Sequence, residues 1–453
     1  MADRFNRRDF MKIGTAGLGA VAGGIGTAGC SAMGTGVRRK PAPAERFAAP
    51  PIDAVRIGYV GVGGMGTAHV KNLLKIKGAR IRAICDIVPE KVARAQDLVV
   101  EAGQEKPAGY WRGETDFVRM CETEDLDLVY TATPWEWHVP VCVAAMKNDK
   151  HAATEVPAAV TVEECWSLVE SAEKYEKHCV MMENCCYNRI ELMVLNMVRQ
   201  GLFGELIHCE GGYLHDLRTV KFDMDGEGKW RLAHSIARNG NLYPTHGLGP
   251  VAQCLNINRG DRFDYLVSMS TVSRGLNVYA AREFGVNDPR AIQTYTLGDV
   301  NVCLINTVNG RTITVVHDCN LPRPYSRINL VQGTKGIFQG YPDRIHIDSE
   351  SPAHEWGKLD DYIDRYDHPL WKEMQDASRG AGHGGMDFIE DYRLIKCLRE
   401  GLPTDMDVYD GASWSVITGL SEWSVAHRSR PIDVPDFTRG RWQTWEPLGI
   451  VGA

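Results

Sequence analysis

Tyr243-Pro-Thr-His246 sets a phenol and an imidazole three residues apart. Where a turn enters a helix, that spacing lets both groups face one pocket and move protons to and from a bound molecule. The bland alternative is a tyrosine that packs and a histidine that caps. A second set lies nearer the N-terminus. Residues 56–66 read Arg-Ile-Gly-Tyr-Val-Gly-Val-Gly-Gly-Met-Gly, an apolar run entering G-x-G-x-x-G at Gly61, Gly63 and Gly66. Asp86 ends the next strand-like run, 86 − 66 = 20 positions after the last glycine. Strand, glycines, helix and spaced acid together specify a dinucleotide site. Gly61 permits the tight turn, Gly63 lets the backbone approach the pyrophosphate, and Gly66 lets helix and strand pack closely. The pyrophosphate then sits on a helix N-terminus. Asp86 would accept hydrogen bonds from ribose hydroxyls and repel a 2′-phosphate. Ile87, Val88 and Pro89 add no cation, so the expected cofactor is NAD rather than NADP.

Other residues are open to chemistry but less specific. Trp135 and Trp137 flank Glu136 and could wall a nicotinamide or a sugar face, although aromatic residues also serve as core. Arg231 could fork onto substrate oxygens or lie on the surface. No pair of Asp or Glu residues is marked by spacing as a conventional glycosidic acid and nucleophile. No His-Glu-x-x-His or Cys-x-x-Cys cluster implies a metal, and the 14 histidines are scattered singly.

The elements that must carry these residues alternate in the first half. After Val55, strand-like runs at 79–86, 126–132, 151–155 and 178–183 are separated by helical segments such as 139–147 and 162–176. That rhythm predicts an α/β fold with an N-terminal Rossmann domain, a doubly wound parallel sheet, over 54–186. Ligands bind at the carboxyl ends of such strands. The crevice should therefore gather Thr133-Pro-Trp-Glu-Trp-His138, Glu155-Val-Pro157 and Glu183-Asn184. After a helix near 191–200 the rhythm changes. Strand-like runs at 205–215, 264–273, 292–308 and 311–319 alternate without regular helices, predicting a C-terminal α+β domain over 187–453 with a mostly antiparallel open sheet. A helix at 386–399 is expected to pack back near the crevice.

The chain has 453 residues, 44% hydrophobic and 24% charged, with net charge −7. That balance gives no reason to expect nucleic acid or an anionic membrane as partner. Asn6-Arg7-Arg8-Asp9-Phe10-Met11-Lys12 is similar to a twin-arginine export motif, and the Gly/Ala-rich stretch after it is too short for a stable membrane span. Residues 1–32 are thus expected to be a signal peptide, read by the twin-arginine export machinery, and 33–53 a flexible linker. The mature protein would be periplasmic or secreted. Cys30 follows Thr-Ala-Gly, but Thr27 stands where a lipoprotein signal has an aliphatic residue. Thirteen cysteines in no framework spacing suit thiols buried while still reduced, because twin-arginine substrates fold before export. The vicinal Cys185 and Cys186 suit core better than redox chemistry.

The Rossmann half, the Glu-x-Pro strand end and the later sheet resemble the glucose–fructose oxidoreductase/inositol dehydrogenase (Gfo/Idh/MocA) superfamily. Its dehydrogenases carry Glu-Lys-Pro, whose lysine contacts the hydroxyl being oxidised; here Val156 replaces the lysine. The motifs 133–138, 155–157, 183–184, Tyr213, Arg231, 243–250, Tyr325, 368–371 and 384–387 resemble glycoside hydrolase family 109 over nearly all of 55–445. Its best-known activity is α-N-acetylgalactosaminidase. The resemblance implies NAD contacts at Met65, Gly66, Asp86, Trp135, Glu136, Trp137, His138, Glu155, Val156 and Asn184. It implies sugar contacts at Tyr213, Arg231, Tyr243, Pro244, Thr245, His246 and Tyr325.

The expected reaction is a glycosidase cycle: oxidation at C3 of the sugar, elimination across C1–C2, water addition, and reduction at C3 with the same NAD. His246 is the expected base for oxidation at C3, with Tyr243 for the C2 proton; the two roles are exchangeable at this point. A tyrosine with pKa near ~10 needs a neighbour to activate it. An exported sugar oxidoreductase with bound nicotinamide is the alternative, and an idle sugar-binding protein a third reading. The open sheet suggests a homo-oligomer.

Overall fold

The computed structural model describes residues 43, 46–447 and 449–452. The expected export signal, Cys30 and most of the linker lie outside the described residues. From Arg46 onward the expected linker is tied to the body instead. Arg46 Nε lies 3.1 Å from Asp407, the Ala49 N–H donates to His178 Nε2 (3.3 Å), and the Ile52 N–H to the Leu398 carbonyl (3.1 Å). The ring of Phe47 against His178, with centroids 4.7 Å apart, is the apolar anchor that ends the spacer early.

The first sheet holds six parallel strands in the order β3-β2-β1-β4-β5-β6: β1 Val55–Val60, β2 Ala79–Cys85, β3 Ala108–Tyr110, β4 Leu128–Thr131, β5 His151–Thr154 and β6 Cys179–Met181. Every residue of β4, β5 and β6 is buried, as expected of a parallel sheet with helices on both faces. Between β1 and β4 the chain order reverses, which opens the crevice above the carboxyl ends. The connecting helices carry their own signals. Pro89 opens the helix Pro89–Glu101, and Thr161 with Glu164 closes a capping box on Val162–Tyr175, which Glu176 ends in the left-handed region.

The second sheet runs β13-β12-β11-β7-β10-β9-β8-β14: β7 Leu206–Leu214, β8 Phe263–Ser270, β9 Val300–Thr307, β10 Thr312–Asp318, β11 Leu330–Gly333, β12 Gly336–Gln339, β13 Arg344–Ile347 and β14 Ile432–Asp433. Only β7 and β10 pair parallel; the other neighbours are antiparallel. One expectation fails here. The run between β7 and β9 is not free of helices: Arg218–Phe222, Gly228–Ala237, Thr245–Cys254, Gly275–Phe284 and Pro289–Ile292 interrupt it. The expected strand at 292–308 starts only at Val300, because Ile292 closes a helix. Buried Tyr295 and Leu297 in the loop between imitate a strand's alternation.

Two close packings position the site, the first within the C-terminal half and the second between the halves. The helix Thr245–Cys254 lies so near β7 that a Cβ on Gly247 would fall 2.0 Å from the Gly212 nitrogen. The helix Met386–Glu400 lies against Gly64–Leu73, where Asp391 accepts from Asn72 at 3.0 Å and meets His69 at 2.9 Å. Among the described residues no helix is long and apolar enough to cross a membrane. The 12 described cysteines are all buried and none is in a disulfide.

Candidate active site

The glycine loop leaves β1 at Gly61, whose φ of +84° only glycine adopts without strain. A Cβ on Gly66 would stand 1.9 Å from the Gly61 carbonyl oxygen, whereas one on Gly63 would meet nothing within 4 Å. The loop is thus closed beneath and open above, the shape a backbone cradle for pyrophosphate needs. The helix it opens, Gly64–Leu73, has no side-chain cap and no acidic residue in its first turn. Its first N–H groups and positive dipole end are left for an anion. Asp86 accepts from the Val62 N–H and the Val88 N–H, both at 2.9 Å. It clamps the loop besides standing where a ribose would lie. These residues fit a dinucleotide.

At the other end of the crevice, Tyr243 precedes the helix Thr245–Cys254 and His246 lies in its first turn. Pro244 holds the N-cap position, and Thr245 is wholly buried. The two rings meet edge to face at 4.8 Å. His246 Nδ1 lies 2.6 Å from Glu183 Oε1. A carboxylate only accepts, so Nδ1 carries the hydrogen and Nε2 keeps its lone pair for a substrate. Burial opposes ionisation of Glu183, but His246 beside it outweighs burial and holds the carboxyl below its usual range. Burial pushes the Tyr243 phenol well above its ordinary value, opposed by Arg231. The imidazole is therefore the readier base.

Around this pair stands an aromatic wall. Trp135 stacks on Tyr243 at 5.4 Å and 22°, and also meets Trp230 and His234. Tyr213, on β7, lies 4.8 Å from the Tyr243 ring and 5.3 Å from His246, and its hydroxyl bonds His215 Nδ1 at 2.9 Å. Tyr325 meets Tyr213 and His215 edge-on and accepts from Arg327 at 3.0 Å. Arg231 is half-buried rather than on the surface: its Nε donates to Glu227 at 2.6 Å and its guanidinium lies over Trp230 and within 5.8 Å of the Tyr243 ring. Trp135, Tyr213, Lys221, Arg231, His234 and Tyr243 share the lining of a cavity of about 20 Å³, room for one water.

The whole chain matches this picture in known proteins. Residues 187–444 match the family model "Glycosyl hydrolase 109, C-terminal domain", and 55–183 match "Oxidoreductase family, NAD-binding Rossmann fold". A glycosyl hydrolase family 109 protein of Shewanella pealeana is 49% identical over 458 residues, 99% of this chain and 100% of that relative. The chain belongs to glycoside hydrolase family 109. It is a glycoside hydrolase with an NAD-binding Rossmann domain. A second relative, from Shewanella oneidensis, is named alpha-N-acetylgalactosaminidase and is 47% identical over 99% of both chains. Among solved structures, levoglucosan dehydrogenase in complex with NADH and L-sorbose superimposes with a TM-score of 0.64. At 21% identity, over 85% of this chain and all of that one, the likeness is one of fold.

For this family 109 chain the structure sorts the expected residues into groups. Tyr213, Arg231, Tyr243, Thr245, His246, Tyr325 and Trp135 come together. Trp137 does not join them: it packs edge-on against Phe117 at 6.1 Å, so the two tryptophans do not form one wall. Consecutive positions on that short helical turn point different ways. His138 is buried with both ring nitrogens on main-chain carbonyls, Pro157 at 2.8 Å and Thr133 at 2.9 Å; its side chain staples strand ends together. Asn184 spends its amide on Asp387 at 2.7 Å. Val156 is 2% exposed and packs in the core. Glu136 lies 3.9 Å from His234. Sequence reasoning placed Glu183 beside the crevice but missed its bond to His246, 63 residues on. It also missed His215, His234 and Trp230. Glu183, Cys185 and His246 bring ligand atoms within 4.8 Å, yet burial holds the Cys185 thiol well up and the short Nδ1 contact to Glu183 is a hydrogen bond. The trio is a dyad with a thiol neighbour.

Proposed function

We propose that this enzyme hydrolyses terminal α-N-acetylgalactosaminides, or related N-acetylhexosaminides, by oxidation at C3, elimination across C1–C2, hydration and reduction. One observation carries the reading: a carboxylate-oriented imidazole and a phenol share one crevice with a glycine cradle for NAD. The name of the Shewanella oneidensis relative supports the sugar. Bound NAD would supply the hydride acceptor for C3 and return the hydride at the end of each cycle. The cradle at Gly61–Gly66 and Asp86 would hold it.

His246 Nε2 takes the proton of the C3 hydroxyl, and Glu183 balances the imidazolium this creates. A ketone at C3 acidifies the C2 hydrogen. Tyr243 accepts that proton as a phenolate, having given its own proton to water; burial opposes the phenolate and the Arg231 guanidinium beside the ring partly offsets that. The C1 substituent then leaves, water adds across the double bond, and the same groups return their protons. Trp135 holds the Tyr243 ring by stacking, while Tyr213 and Arg231 present polar groups to the sugar. Val156, buried and without a proton, supplies nothing in place of a dehydrogenase lysine.

The test is p-nitrophenyl α-N-acetylgalactosaminide in deuterated water without added NAD. Release of nitrophenol with deuterium at C2 of the product is expected. Release with hydrogen retained at C2 rejects the elimination route.

We further propose export by the twin-arginine machinery, supported by Arg7 and Arg8. Free NAD is scarce outside the cytoplasm, and an enzyme that folds around its cofactor and restores it each turnover would not stall there. Replacing Arg7 and Arg8 by lysine should leave the protein in the cytoplasmic fraction.

A further inference from the structure

A buried polar chain runs inward from the carboxyl end of β5. Glu155 Oε1 lies 2.7 Å from His69 Nε2, and His69 Nδ1 lies 2.9 Å from both Asp391 oxygens and 3.1 Å from the Tyr130 hydroxyl. The Asn72 amide donates to Asp391 as well. His69 and Asp391 have no exposed side-chain surface, whereas Glu155 keeps 14% of its own. Glu155 is therefore the crevice-facing end. Its second oxygen accepts the Val156 N–H at 3.1 Å.

The charges do not cancel. Burial opposes charging of His69, but Asp391 and Glu155 outweigh it and hold the imidazole well above its ordinary value. Two carboxyl groups face one imidazole, which leaves an excess of negative charge even though burial pushes the Asp391 carboxyl up against the opposing contacts of His69 and Asn72. Among the described residues no lysine or arginine pairs with Glu155 or Asp391. His383 and Asp387, 2.7 Å apart, neutralise each other. Glu390 is buried with neither oxygen partnered, and burial pushes its carboxyl well up. Val156, where a cation would have changed the sum, is apolar.

Topology says what this charge faces. Asp86 at the end of β2 marks the adenosine half of a dinucleotide and the loop after β1 its pyrophosphate. The second mononucleotide then falls to the β4–β6 half, where Glu155 stands. An oxidised nicotinamide carries a positive charge that the reduced ring lacks. A fixed negative charge in a partly desolvated crevice favours the oxidised form. We propose that the Glu155–His69–Asp391 chain holds the resident nicotinamide oxidised between turnovers, so that each cycle starts from NAD. An enzyme that restores its cofactor each turnover is idle whenever a hydride is stranded, and this chain opposes that state. The inference rests on the dinucleotide reading of the glycine loop and not on the sugar.

The measurement needs no glycoside. The full-length protein, freed of cofactor, is titrated with NAD and with NADH, following NADH fluorescence and its displacement. Glu155→Gln keeps the hydrogen bond and removes the charge. The NADH-to-NAD affinity ratio should rise about tenfold, equivalent to about 30 mV for a two-electron couple. Asp391→Asn, farther from the crevice, should shift it the same way by less. A wild-type ratio in Glu155→Gln overturns the proposal. Should that variant not fold, an unchanged ratio in Asp391→Asn overturns it equally. Wild-type protein that binds neither nucleotide overturns the dinucleotide reading and this inference with it. Loss of glycosidase activity with the ratio shifted as expected leaves it standing.

Discussion

The two ends of the crevice are built by different means. The nucleotide end is made of backbone: Gly61, Gly63 and Gly66 shape it by lacking side chains, and Asp86 adds a charge. The sugar end is made of side chains from distant segments: Trp135 after β4, Glu183 after β6, Tyr213 on β7, and Tyr243 and His246 at a helix start. The difference is one of task. A phosphate is gripped by fixed N–H groups, which any sequence supplies once the turn is permitted. Proton transfer needs particular acids and bases at particular separations, and only folding brings those together. Damage to one end should therefore show in cofactor occupancy, and damage to the other in turnover alone.

The largest effect should come from His246→Ala. Loss of the base is expected to lower kcat about 10³-fold while NAD stays bound through gel filtration, as mass spectrometry of the released cofactor would show. Rates near wild type would remove His246 from the chemistry. Glu183→Gln should come next, lowering kcat about 10²-fold with occupancy again unchanged. The amide can orient the ring but cannot balance an imidazolium. Equal effects of the two changes would mean that the charge of Glu183 matters as much as the imidazole itself.

At the nucleotide end, Gly66→Ala should lower NAD affinity by one to two orders of magnitude. The added methyl meets a carbonyl oxygen at 1.9 Å, and the backbone shift costs about 1–3 kcal/mol. Activity should fall in step with occupancy and return when NAD is added in excess, which His246→Ala would not do. Asp86→Asn should weaken NAD about tenfold and narrow its preference over NADP, measured by titrating both. If saturating NAD fails to restore Gly66→Ala, the separation of the two ends breaks down.

The same contrast explains what the sequence disclosed. The glycine loop and Asp86 occupy one βαβ unit, so the residues that act together also lie together in the chain. The first sheet was readable for the same reason. The Glu183–His246 bond was not, since nothing local to either residue names the other. The helix Gly275–Phe284 carried a signal that went unread: Leu276, Tyr279 and Ala280 recur at helical spacing. It sits between strand-like runs whose alternation dominates the segment. Trp137 and His138 show the converse. They share a motif with Trp135, yet a short helical turn sends neighbouring side chains in different directions, and the fold uses both for packing.

The smallest predicted effect separates the two roles of Glu183, as partner in turnover and as buried charge. Its carboxyl is held below the usual range in the folded protein by His246, against the opposing effect of burial. A depressed folded value adds stability that is complete above the unfolded value, about 4.3, and is lost as pH falls through the folded one. Gly66→Ala removes no ionisable group. The difference in Tm between wild type and Glu183→Gln should therefore hold from neutral pH down to about 4.3 and shrink only as pH falls below it, while Gly66→Ala keeps a constant offset. A difference that grew on acidification would mean that burial, not the imidazole, sets the state of Glu183. Nε2 would then lose its claim as the base.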